Sequence, residues 1–162
     1  MSGFEPLSAT QLARIAAAAF ADRQAEASRL VRNGGMLRGE ADRRLAPWLA
    51  IACLAGADLP ELEEPLADLR EKDPDDVWTF SDAQARALLA SDICPRARWA
   101  PLLAKARDAA LRRAEAVAHT QHPDRDTLMA TARALRGLAD GLSHDPSGRM
   151  DVPAFQELEP TR

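Results

Sequence analysis

The stretch Leu45–Ala57, LAPWLAIACLAGA, constrains this chain more than any other. Its thirteen residues carry no charge and place apolar side chains all round a helix. Such a helix belongs inside a protein or a membrane. A bilayer span needs about 20 residues, so this one reads as a central core helix wrapped by longer amphipathic ones. The expected fold is all-α: an irregular multi-helix bundle around residues 45–57, with a C-terminal antiparallel helical hairpin and a tail.

Composition points the same way. Alanine is the commonest residue, Tyr is absent and aromatics make up 4%. Alanine favours helix and lacks the β-branched bulk of strands. A core of Leu and Ala with close helix spacing follows, and Trp48, Trp78 and Trp99 supply much of its large apolar area. A length of 162 residues fits one domain with a real core. The expected division is a helical domain over residues 1–142 and a tail over 143–162 with a short apolar segment.

The formal charge of −4 argues against a dedicated nucleic-acid coat. Its sign is uneven. Asp58–Asp76 has nine acids against Arg70 and Lys72, a balance of −7, and Arg86–Arg136 has ten bases against five acids, a balance of +5. Attraction between these halves within the fold is the plain explanation. Cys53 and Cys94 form no C-x-x-C pair, and they read as free thiols of a reducing cytoplasm. The beginning MSGFEPLSAT lacks a basic stretch followed by an apolar run, so no signal peptide is evident.

In chain order, Ser8 or Thr10 can cap a helix to about Arg32, which Asn33-Gly34-Gly35 stops. Residues 1–7 read as a loose lead-in, and Met36 and Leu37 as plugs at the core edge. A second helix begins near Gly39 and leads into the central stretch, where Pro47 either kinks it or starts another. A short acidic helix runs from Pro60 to about Lys72. Val77–Phe80 reads as an extended connector that buries Trp78 and Phe80. Ser81 and Gln84 have capping-box spacing and open a helix to about Ser91. The longest later helix starts properly at Pro101 and runs to about Thr120. The last spans about Asp126–Leu142, with Leu128, Ala132, Leu135, Ala139 and Leu142 on one side. The short break between these two makes them a hairpin.

Few residues offer chemistry. His119 and His122 could share a helix face and bind zinc with a carboxylate, but His122 precedes a proline and falls outside the helix. Cys94 precedes a helix start with Arg96 and Arg98 nearby, a setting that lowers a thiol pKa; the plain alternative is a gap-filling core residue. Arg98, Lys105, Arg112 and His119 recur every seven residues as a basic stripe, partly neutralised by Asp108 and Glu115. Ser81 and the helix after it could open a helix-turn-helix unit, but they offer few base-reading side chains. Glycine-rich phosphate loops, G-x-S-x-G and H-E-x-x-H are missing. In the tail, Val152, Phe155 and Leu158 recur every three residues and need a groove, on this domain or on another chain.

The leading expectation is a non-enzymatic intracellular helical interaction or accessory protein. It would have no cofactor and no catalytic or metal residues, and it would bind a protein partner or associate with itself. Nucleic acid is not expected as a partner, and no membrane span is. The second expectation is an enzyme or a redox or metal sensor using Cys94 or His119 and His122. The third is a nucleic-acid-binding regulator using the Arg-rich helices. A pocket converging on Cys94 and a histidine would favour the second, and a continuous positive surface over residues 96–136 the third.

Overall fold

The computed structural model describes residues 7–70 and 81–143. They form six helices: α1 (Ala9–Arg32), α2 (Arg38–Leu54), α3 (Pro60–Arg70), α4 (Asp82–Ile93), α5 (Arg96–Val117) and α6 (Arg125–Ser143). No strand occurs among the described residues. The fold is an all-helical, multi-helix bundle.

The apolar stretch lies at its centre. α2 packs against α1, α4 and α5, while α6 packs against α1 and α5. Trp48, Ala50, Ile51, Ala52 and Cys53 are all buried. The helix starts earlier than the uncharged run and ends at Leu54, with residues 55–57 forming its terminating turn. Pro47 neither ends it nor begins another helix; it sits buried inside one continuous helix. Burial on three neighbouring helices outweighs the single backbone bond that proline removes.

Local signals set several boundaries. Ser8 and Gln11 form a reciprocal capping box at the start of α1, as do Ser81 and Gln84 at the start of α4. α1 stops in a Schellman motif: the Gly35 N–H donates to the Leu30 carbonyl, the Gly34 N–H donates to that of Val31, and Gly34 adopts φ +80°. α2 ends the same way, with Ala57 bonded to Ala52, Gly56 bonded to Cys53, and Gly56 at φ +92°.

Two elements differ from the sequence reading. α5 starts at Arg96, not at Pro101, and ends at Val117 rather than Thr120. Its early start carries Trp99 onto the same helix face as Leu103, and both are buried. Leu7 is not a loose lead-in. It precedes the cap of α1 and lies over Gly137 of α6, where an added Cβ would collide with it. One turn on, Gly141 admits Leu12 in the same way, so two glycines let α1 and α6 approach closely. Of the two expected plugs, Met36 is buried while Leu37 is 78% exposed.

α5 and α6 form the expected antiparallel hairpin. Arg96, at the start of α5, donates to the carbonyl of Leu142 near the end of α6 at 3.3 Å. At the other end, Arg125 donates to the carbonyl of Ala118 at 2.9 Å. The connector with Trp78 and Phe80, and the segment with Val152, Phe155 and Leu158, lie outside the described residues.

Candidate functional site

Cys94 closes α4 and is fully buried, its thiol donating weakly to the Pro95 carbonyl at 3.8 Å. Burial pushes this thiol up, and the opposing pull of Arg98 does not reverse it. The neighbouring arginines therefore do not make it a nucleophile, because desolvation penalises the thiolate more than they favour it. His119 and His122 are exposed and lie past the other end of α5. The 22-residue helix separates them from Cys94 by about 33 Å at 1.5 Å per residue. The structure thus brings no histidine to Cys94. Nδ1 of His122 accepts the Asp124 N–H at 3.0 Å, so that ring orders the turn into α6. Among the described residues, no group of three or more His, Cys, Asp or Glu is placed to hold a metal ion.

The basic stripe is exposed along α5 at Arg98, Lys105 and Arg112, with exposed His119 just past the end of the helix. Its neutralisation differs from the sequence reading, because Asp108 pairs with Arg107 at 3.0 Å and not with Lys105.

A buried guanidinium went unrecognised in the sequence. Arg86 of α4 is only 7% exposed and reaches the end of α2. Its Nη1 donates to the carbonyls of Cys53 at 3.0 Å and Ala57 at 2.9 Å. Its Nε donates to Asp82 at 2.9 Å, and its Nη2 lies 3.4 Å from Asp58. The cation meets the negative end of the helix, where it is a second donor to the Cys53 carbonyl, which also accepts from the Gly56 N–H, and a donor to the Ala57 carbonyl. Although burial pushes the Asp82 carboxyl up, hydrogen bonds and charge from Arg86, then from Arg70, hold it below its ordinary value. A hollow of about 410 Å³ lies beside Arg86, with Asp58, Glu63 and Arg70 in its wall. Asp58, Arg70 and Arg86 are already engaged in the clasp between α2, α3 and α4.

The larger opening lies elsewhere. α1, α2 and the start of α5 enclose a groove of about 720 Å³. Leu30, Met36, Leu45, Pro47, Trp48 and Leu102 form its apolar lining. Trp48 is 8% exposed, and the Arg23 guanidinium of α1 lies over its ring, 3.6 Å from the centroid. Leu102 is 41% exposed at the rim. Of the four arginines in the wall, Arg23 is stacked on Trp48 and Arg44 pairs with Glu40 at 3.0 Å. Arg43 and Arg98 have no ion-pair partner among the described residues. The wall also holds Asp22 beside Arg23, Glu26 paired with Arg29, and Glu40, so the groove offers apolar surface with a small excess of positive charge, carried by Arg43 and Arg98.

The fold and this opening define a helical bundle with a surface groove. Compared with protein families, characterised proteins and solved structures, the chain matches none.

Proposed function

We propose that this chain is a non-enzymatic helical interaction protein, whose groove between α1, α2 and α5 receives an acidic, amphipathic helical segment of a protein partner. The groove itself carries this reading: apolar side chains share its lining with four arginines and three acids, and because Arg44 engages Glu40 and Arg29 engages Glu26, Arg43 and Arg98 are left without ion-pair partners among the described residues. Helix-in-groove recognition uses apolar anchors at helical spacing, and flanking charges select the partner. The proposed unit is the helical domain of residues 1–142. A reducing cytoplasmic setting suits its free thiols, Cys53 and Cys94. No described helix is long and apolar enough to cross a membrane.

The test is site-specific crosslinking in the source cell. A photo-crosslinking residue at position 102 should capture a discrete protein, and the joined peptide should be an acidic amphipathic segment. The same residue at position 133, exposed on α6, should not capture it. Capture should fade in Arg43→Glu/Arg98→Glu. Identical adducts at both positions, or none at 102, would remove the groove as a partner site.

A further inference from the structure

The chain carries a segment of the chemistry this groove selects. Residues 150–158 read Met-Asp-Val-Pro-Ala-Phe-Gln-Glu-Leu, with Glu159 next. Val152, Phe155 and Leu158 are spaced for one side of a short helix, and Asp151, Glu157 and Glu159 are acidic. No base occurs between Arg149 and Arg162. The groove supplies the complement: apolar side chains, and four arginines against Asp22, Glu26 and Glu40, of which Glu26 and Glu40 are engaged by Arg29 and Arg44 while Arg43 and Arg98 have no ion-pair partner among the described residues.

Topology brings the two within reach. α6 ends at Ser143, and Arg96 ties the Leu142 carbonyl to the start of α5. Arg98 and Leu102, two and six residues further along α5, line the groove, and at 3.6 residues per turn they lie on nearly the opposite side of α5 from Arg96. The chain therefore leaves α6 across one helix from the groove. Phe155 follows Ser143 by twelve residues, which span up to roughly 40 Å when extended. Rounding half of a helix about 10–12 Å across requires roughly 16–19 Å, so the connection has slack.

We infer that residues 150–158 dock into the α1–α2–α5 groove of their own chain, with Phe155 as the apolar anchor and the segment's acids toward Arg43 and Arg98. This rests on the reading of the groove as a docking surface, and it makes the segment an internal competitor that a partner must displace. A segment this short does not hold a helix alone in water. Its tether compensates by giving an effective concentration of about millimolar order.

The experiment uses full chains and a fluorescent peptide covering residues 147–162. Phe155→Ala/Leu158→Ala in the full chain disables the internal segment without touching the bundle. The peptide should bind this variant, and should bind the wild-type chain at least about tenfold more weakly because the tethered copy competes. Adding Leu102→Glu to the variant should abolish binding; Leu102 is at the exposed rim, and an unchanged helical circular dichroism signal would show that the bundle survives. Equal affinity for both chains overturns internal occupancy. No binding to the variant, or binding insensitive to Leu102→Glu, overturns the groove as the segment's site. Light scattering of the wild type should give the monomer mass; a dimer dissolved by Phe155→Ala would overturn docking within one chain. These outcomes are independent of whether position 102 captures another protein, so this inference and the partner reading can fail separately.

Discussion

Arg86 and Cys53 hold each other in both directions. The guanidinium Nη1 of Arg86 donates to the Cys53 carbonyl at 3.0 Å, and the Cys53 thiol lies 3.4 Å from the Arg86 carbonyl as its donor. The pair fastens the end of the central helix α2 to α4. Truncating Arg86 removes a donor from the Ala57 carbonyl and leaves the Cys53 carbonyl with the Gly56 N–H alone, and a buried acceptor left unsatisfied costs roughly 1–3 kcal/mol. Arg86→Met keeps much of the apolar stem, so its loss measures mainly the hydrogen bonds. It should destabilise the chain by about 2–5 kcal/mol in chemical denaturation. A loss below about 0.5 kcal/mol, the usual level of neutral surface changes, would mean that water replaces the clasp at no cost.

The same burial governs the thiol. Desolvation pushes Cys53 up from its ordinary 9.0 to about 11, against the pull of Arg86. A pKa raised in the folded state means that the native form holds its proton where the unfolded form has lost it. The associated stability is complete below about pH 9 and disappears as pH rises towards about 11. Unfolding free energy should therefore fall through that window, with a slope of at most about 1.4 kcal/mol per pH unit from this group. Cys53→Ala should flatten the decline. An identical slope in the variant would exclude Cys53 as its source. Both thiols should also react slowly with a disulfide reagent until the chain unfolds, since Cys53 and Cys94 are buried.

The contact between α1 and α6 gives a prediction in which the sign reverses. A Cβ at position 137 collides with Leu7. Gly137→Ala should thus destabilise, by about 1 kcal/mol or more, because overpacking of about 1–3 kcal/mol exceeds the helix-propensity gain of about 1. With Leu7→Ala already present the collision is gone, and the same Gly137→Ala should stabilise. A denaturation cycle over the four chains measures the coupling. Additive effects would show that Leu7 moves aside freely.

Binding to nucleic acid should be weak and unspecific despite the exposed stripe on α5. The overall charge of −4 opposes accumulation of phosphates, although Asp108 turns to Arg107 and leaves Lys105 less neutralised than the spacing implied. A labelled duplex titrated at low and at physiological salt provides the measurement. Submicromolar affinity that falls steeply with salt and vanishes in Arg107→Ala/Arg112→Ala would instead establish a phosphate-binding face.

Much of the bundle was legible in the residues because its signals are local. The uncharged run at residues 45–57 identified the buried centre, since no surface helix tolerates apolar groups all round. Asn33-Gly34-Gly35 ended α1, and Ser81 with Gln84 opened α4, through bonds within a single turn. The groove was not legible as a place. Leu45 read as part of the central apolar run and Leu102 carried no signal of its own, and only the spacing of three helices leaves a gap among them.

The sequence by itself determined the helical class, the apolar central element, most helix ends and the absence of familiar catalytic motifs. Each depends on residues that are neighbours in the chain or repeat with the helical period. Tertiary structure alone decided that Pro47 and Pro101 lie inside helices, because the burial of Trp48 and Trp99 outweighs a lost backbone bond. It alone placed Cys94 and the histidines at opposite ends of α5. It also gave Arg86 its role, because the carbonyls it reaches are 33 and 29 residues away in sequence and become accessible to a side chain only where α2 stops.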